Sequence, residues 1–174
     1  MLHTIGRSVR DESVCGLLRA CHTRIRFFLD TAIAVQSSSA SDAAIVDACN
    51  DVERYFGLAF PLHLQDEEES ILPRILGRSP RLDEALRRMT SDHVAHAAPL
   101  AALLELAVKV RESANDQVKR DGLASAASAL RVELERHLRE EEAIIFPGIE
   151  LSLSNDVQAQ IVEEMRARRR PPAP

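Results

Sequence analysis

The sequence predicts an all-α protein whose four long helices form an antiparallel up-down-up-down bundle, followed by a short C-terminal fifth helix. Hydrophobic residues make up 45% of the chain but aromatic ones only 3%, and Leu, Ala, Glu and Arg, which favour helices, are abundant. Apolar residues recur at spacings of three and four, and the connections are short. The 174 residues suit one domain over 1–174, with the bundle at about 10–150, the extra helix at 151–168 and a tail at 169–174.

The first two helices are predicted at about 10–36 and 42–76. An apolar stripe at helical spacing marks the first helix, and a polar linker that ends with Ser41, a favoured N-cap residue, precedes the second. Pro61 should kink or break the second helix just before His63, because proline has no N–H to donate.

The remaining helices are predicted at about 80–113, 122–147 and 154–168. Gly77 is placed to end the second helix in a left-handed conformation, and Ser79 to cap the third. The fifth helix should pack on the outside of the bundle through a sparse apolar stripe.

Several breaks follow from proline and polar residues. Pro99 should bend the third helix, and Pro147 with Gly148 should end the fourth. The polar residues 113–122 should hold the turn between these helices. The basic residues 166–170 precede a proline-rich end and are interpreted as a frayed, solvated tail.

Composition narrows the classes of function. A net charge of −5 argues against a nucleic-acid partner. Cys15, Cys21 and Cys49 form no disulfide pattern and are expected to be buried thiols in a reducing compartment. The sequence shows no signal peptide and no apolar run of about 20 residues, so we expect a cytoplasmic protein with no membrane partner. Oligomeric state is left open.

Two stretches of the chain, 63–75 and 137–149, are nearly the same. They lie 74 residues apart and share seven of thirteen positions, including a His-x-x-x-Glu pattern that precedes a proline. Residues four apart on a helix differ by only about 40° in direction. His63 and Glu67 therefore project from one face, as do His137 and Glu141, and both faces are predicted to be buried. Glu68 and Glu142 should face solvent instead.

These inward polar residues predict a metal site. One His–Glu pair alone could be a hydrogen-bonded pair, and a lone His22 or His93 could be an ordinary core histidine. The joint pattern, with an inward histidine on each of four helices, favours metal because a buried carboxylate needs a partner. Four histidines and two carboxylates suit two cations with bridging carboxylates, whereas a structural zinc needs only four ligands, usually with cysteine.

At these positions the chain resembles the hemerythrin-like family, the HHE cation-binding domains. The likeness extends from the segment at Cys21 to the one that ends at Pro147. The resemblance implies a hemerythrin-like bundle with a non-haem di-iron centre, whose two carboxylates bridge two iron ions beside an oxo or hydroxo group. The implied metal ligands are His22, His63, Glu67, His93, His137 and Glu141.

The third helix departs from the pattern of the oxygen-carrying members. Those proteins have His-x-x-x-His there, but this chain has His93 and His96 three residues apart, followed by Pro99. The last acid is also one residue closer to its histidine. The chain therefore looks more like the four-His, two-Glu branch, which includes iron-sensing and iron–sulfur repair proteins. His96 is a possible further ligand, a supporting donor or a solvated residue.

Three functions are compatible with this sequence. The leading one is a non-enzymatic di-iron protein that binds or senses dioxygen, nitric oxide or iron. The second covers two alternatives, a di-iron enzyme (peroxidase, oxidase or nitric-oxide reductase) and an iron donor of the iron–sulfur repair type. A metal-free structural or partner-binding bundle is the third. Enzymatic turnover would need a protonatable or redox-active side chain near the metal site. Tyr55, the only tyrosine of the chain, is a candidate for that role.

Overall fold

The computed structural model describes residues 12–170, which form five helices and no strand. These helices are α1 Val14–Ala34, α2 residues 42–75, α3 Pro80–Glu112, α4 residues 117–152 and α5 Asn155–Arg168. Helix α1 packs on α2 and α4, and α3 packs on the same two helices from the other side. Each of α1 to α4 therefore packs on two neighbours, and α4 closes the ring by packing on α1. This confirms the predicted four-helix bundle.

Each helix begins with a side chain that caps its first turn. Ser13, Ser41, Ser79 and Ser154 accept hydrogen bonds from backbone N–H groups three residues on, and Asp116 accepts from Val118 and Lys119 in α4. Gly77 ends α2 with a φ of 81°, as predicted. These caps fix where the four bundle helices start, and hence which faces they turn inward.

Helices α2 and α4 are not α-helical throughout. Wider π-helical turns occur at Tyr55–Ala59 and Asp66–Ile71 in α2 and at Glu141–Ile145 in α4. Each turn is followed, two residues after its end, by Pro61, Pro73 or Pro147. Proline lacks the N–H of a regular helix and its ring collides with the preceding turn, so the wider turn lets the helix continue.

This arrangement corrects two predicted boundaries. Helix α4 continues through Pro147 and Gly148 to Ser152 instead of ending there. It also starts at Gln117 and not at 122, because Asp116 caps it. Helix α3 runs without interruption through Pro99. The N-terminal edge predicted for α1, at residue 10, and the end of the chain, from 171, lie outside the described residues.

The core consists of two apolar clusters. One contains Ile25, Leu29, Val52, Phe60, Leu103 and Leu134. The other contains Leu18, Ile71, Ile75, Leu86, Ile145 and Phe146. In each bundle helix the predicted inward histidine lies between the residues of one cluster and those of the other. A polar layer therefore crosses the middle of the bundle, enclosed by apolar packing at both ends.

Helix α5 covers one side of the bundle, as predicted, and buries Ile161, Val162 and Met165. The prediction of a frayed basic tail is wrong, because Arg168 and Arg169 form ion pairs with the buried Asp66.

Helix α3 has the length and apolar composition to cross a membrane, with a mean hydropathy of 1.3 over its most apolar stretch. That stretch is 28% buried, and α3 packs against α2 and α4.

Candidate metal centre

The six predicted ligands converge in the polar layer between the two apolar clusters. All six are buried, the most exposed being His93 at 7%. They come from all four bundle helices, one histidine from each and one carboxylate from each of α2 and α4. The six side chains are His22, His63, Glu67, His93, His137 and Glu141.

These side chains form two groups that share both carboxylates. The first group contains His22 and His63 with Glu67 and Glu141, and the second contains His93 with His137 and the same two carboxylates. Within each group the possible ligand atoms lie within 4.8 Å of one another. Two neighbouring cation positions bridged by two carboxylates would use every member of both groups.

Each carboxylate oxygen faces a different histidine. Glu67 Oε1 lies 3.3 Å from His63 Nε2, and its Oε2 lies 3.3 Å from His93 Nε2. Glu141 Oε1 lies 3.0 Å from His137 Nε2, and its Oε2 lies 3.2 Å from His22 Nε2. Each carboxylate thus directs one oxygen toward each cation position.

The unsatisfied atoms of the layer show that these residues fit metal. Buried nitrogen and oxygen atoms normally have hydrogen-bond partners, because leaving them unpaired costs free energy. Here His22 Nε2, His63 Nε2 and His93 Nε2 have none, and neither do Glu67 Oε2 and both oxygens of Glu141. These are the atoms that would bind two cations, and imidazole with carboxylate suits transition metals.

Both carboxylates shared by the two groups lie in π-helical turns. Glu67 is the second residue of Asp66–Ile71, and Glu141 is the first of Glu141–Ile145. Such turns occur often at functional sites, where the extra residue redirects side chains. Here the two turns occupy equivalent places in the repeated stretches.

The Nδ1 atoms of three histidines are held by further carboxylates. His22 Nδ1 lies 2.8 Å from Glu142 Oε1, and His93 Nδ1 lies 2.7 Å from Glu68 Oε1. Glu68 is exposed, as predicted, and Glu142 is half-buried, but the sequence did not predict that both would reach the histidines of the centre. A carboxylate can only accept, so Nδ1 carries the proton and the Nε2 lone pair points into the centre.

The remaining two of the four inward histidines differ from each other. His137 Nδ1 lies 3.3 Å from Asp92 Oδ2, whereas His63 Nδ1 has no hydrogen-bond partner. Asp92 directly precedes a histidine in α3, and the corresponding residue before His22 in α1 is Cys21. The two halves of the centre are thus similar but unequal.

Burial and neighbouring groups shift the pKa values of several residues in this polar layer. Burial and the charge of Glu141 raise the pKa of Glu67 well above its usual value. Burial also acts to raise the pKa of Glu141, but the neighbouring imidazoles of His137 and His22 outweigh it and lower that pKa. Burial lowers the pKa of His63 to about 3, which keeps its imidazole neutral and able to bind metal.

His96 lies beside the centre and belongs to neither group. It is buried, its ring centroid is 5.4 Å from that of His137, and its Nε2 is 4.0 Å from Glu133. Tyr55 uses its hydroxyl to donate to the Cys21 carbonyl at 3.2 Å.

Comparison with known protein families agrees with this geometry. Residues 15–116 and 95–170 match the family described as the hemerythrin HHE cation-binding domain. The chain belongs to this family. The two matches together span the five helices of this HHE domain, and its six converging side chains are where it could hold a cation. A search among curated proteins finds no significant match.

Proposed function

We propose that this HHE domain is a non-haem di-iron protein that binds or senses dioxygen, nitric oxide or iron. One observation carries the proposal: two buried His/Glu groups share both of their carboxylates and leave their inward atoms unpaired. Two bound iron ions would supply reversible redox change and coordination of a small gas. His22 and His63 would hold one ion, His93 and His137 the other, and Glu67 with Glu141 would bridge them.

The protein's own contribution is preorganisation and exclusion of water. The carboxylates on the Nδ1 atoms of His22, His93 and His137 fix the tautomer that presents Nε2 inward. The metal-free centre also holds protons that a cation must displace, because burial lowers the pKa of His137 but the adjacent carboxylate of Glu141 outweighs it and raises that pKa.

Burial of the centre favours a small diatomic gas over an organic substrate. None of the six ligands is more than 7% exposed. A surface groove of about 750 Å³, lined in part by Ile33, Val132 and Arg136, contains no ligand residue. The Tyr55 hydroxyl is engaged by the Cys21 carbonyl and burial raises its pKa, so it is a poor proton donor to the centre. These features support the non-enzymatic reading.

The experiment is iron analysis of purified protein together with absorption spectra before and after reduction and exposure to air. We expect two irons per chain and an absorption band that appears in air and disappears on reduction. Protein that takes up no iron from an ample supply, or fewer than two per chain, would contradict the proposal. Turnover of peroxide or nitric oxide that is lost in Glu67→Ala would favour the enzymatic alternative.

We also propose a cytoplasmic location. The three cysteines Cys15, Cys21 and Cys49 are all buried and form no disulfide, as expected in a reducing compartment. Fractionation of the native cells would test this.

A further inference from the structure

Asp66 is a fully buried carboxylate that belongs to neither cation group. Its relative exposure is 0%, and both of its oxygens accept hydrogen bonds from α5. Arg168 Nη1 donates to Oδ1 at 3.0 Å, and Arg169 donates to Oδ2 at 2.6 Å and to Oδ1 at 3.2 Å. Charge-assisted bonds of this kind are strong. We call Asp66, Arg168 and Arg169 the Asp66 clamp.

Further contacts hold the far end of the same π-helical turn. Arg168 Nη2 donates to Ser70 Oγ at 2.8 Å. Arg74 donates to the Ser70 carbonyl at 2.6 Å and pairs with Glu164 of α5, also at 2.6 Å. Helix α5 therefore fixes both ends of the turn that carries Glu67, directly at Asp66 and through Arg74 at Ser70.

Arg169 reaches a second helix as well. Its side chain lines the same pocket as Cys21, the residue before His22 in α1. Asp66 likewise directly precedes Glu67. One side chain at the end of α5 thus pairs with the neighbour of Glu67 and lies beside the neighbour of His22, two residues of the same cation group.

We propose that Arg168 and Arg169 are positioning residues for the metal centre, and that docking of α5 is thermodynamically linked to metal binding. This inference rests on the proposed function. Release of α5 would remove both arginine partners of Asp66 and the helix that packs on its turn, so the turn would rearrange and Glu67 would lose its orientation between the two positions. Because linkage is reciprocal, bound metal must in turn stabilise the docked α5 by the same factor.

The other π-helical turn offers a matched control. There Glu140 precedes Glu141 and pairs with Arg88, a side chain that is 43% exposed. Solvent screens such a pair, so its loss should change little. Arg170, which pairs with Glu163 at 2.6 Å between two exposed side chains, is a control on α5 itself.

The test is titration of the full-length metal-free protein with Co²⁺, followed by absorption. We expect Arg168→Gln/Arg169→Gln to bind Co²⁺ about 10- to 100-fold more weakly, the usual effect of removing a group that orients metal ligands. Arg88→Gln and Arg170→Gln should bind as the wild type does. Arg169→Lys keeps the charge but loses the planar fork, and should fall between.

A second measurement needs no variant. Amide hydrogen exchange of the wild type is compared with and without Co²⁺, and we expect slower exchange throughout α5 in the loaded protein. Unchanged Co²⁺ affinity in the double variant, or α5 exchange that does not respond to Co²⁺, would overturn the inference. Wild-type protein that takes up fewer than two Co²⁺ would instead contradict the proposed centre.

Discussion

Replacing Glu67 by glutamine should stabilise the metal-free protein and destabilise the metal-loaded one. The Glu67 carboxylate is 2% exposed, and its Oε2 has no hydrogen-bond partner. Glutamine is isosteric, and its amide can donate to His93 Nε2 while its oxygen accepts from His63 Nε2. An unpaired buried polar group costs about 1–3 kcal/mol, so we expect a gain of about that size in unfolding free energy.

The gain should depend on pH with a defined sign. The pKa of Glu67 in the folded protein is raised by burial, so its protonated form is the one that suits the fold. Stability from this group is present below the unfolded pKa, about 4.3, and is lost as pH rises through the folded value. The advantage of Glu67→Gln therefore grows with pH, and we expect it to be clear at pH 8.

Metal reverses the order of stability. At a free-metal concentration 1,000 times the dissociation constant, binding stabilises the native state by about 4 kcal/mol. A bridging ligand lost at a cost of about 100-fold in affinity would leave about 1.4 kcal/mol of this. Urea unfolding at pH 8, with chelator and then with Co²⁺, measures the stability of the metal-free and the metal-loaded protein. Glu163→Gln on the surface is the control. Equal destabilisation of Glu67→Gln in both conditions would refute the reasoning.

Three further predictions concern the histidines of the centre. Glu142→Gln should weaken Co²⁺ binding by about 10- to 100-fold, because the hydrogen bond that fixes the tautomer of His22 loses its charge. Isothermal titration measures the affinity, and an unchanged affinity would contradict the prediction. The pKa of His63 is lowered to about 3 by burial, so between about pH 6.5 and 3 the unfolded chain binds a proton that the folded chain does not. Metal-free wild type should therefore lose up to about 1.4 kcal/mol per pH unit relative to His63→Gln as pH falls through this window, by urea unfolding at several pH values. The first equivalent of Co²⁺ should enter the position of His137, because Asp92 holds the Nδ1 of His137 whereas the Nδ1 of His63 has no partner. This first ion should bind His63→Ala as tightly as wild type and His137→Ala more weakly. The opposite ranking of the two variants would refute this order of filling.

Helical periodicity was sufficient to locate the six converging side chains. Ligands four residues apart share a face whether or not the helix is regular, so His63 with Glu67 and His137 with Glu141 were placed together correctly. The histidines of α1 and α3 followed from their place in an apolar stripe. Local pattern can locate such residues because each bundle helix turns only one face toward the core.

The supporting carboxylates were missed because the helices are locally irregular. A step of 100° per residue turned Glu68 and Glu142 toward solvent. The π-helical turns contain more residues per turn, so each step is smaller and both side chains stay near the centre. Prolines at 73 and 147 were a usable signal of these turns.

The Asp66 clamp could not be found by periodicity at all. Asp66 and Arg169 are about a hundred residues apart in sequence, and the basic end of a chain is ordinarily solvated. Only the docked position of α5 shows that Arg169 pairs with the buried carboxylate of Asp66. An aspartate next to a predicted ligand was the one local sign that the turn needed a cationic partner.

The Asp66 clamp shows a further difference between the two halves of the centre, in the residues that directly precede the inward side chains. In the half built from α3 and α4, the residues that precede ligands are Asp92 and Glu140, and Arg136 and Arg88 pair with them at the surface.

In the half built from α1 and α2, the corresponding residues are Cys21 and Asp66. Arg169, at the end of α5, pairs with Asp66 and lines the same pocket as Cys21. Only in this half does the pairing guanidinium come from outside the four bundle helices. Any event that moves α5 should act first on the position of His22 and His63, where the histidine Nδ1 support is also weaker.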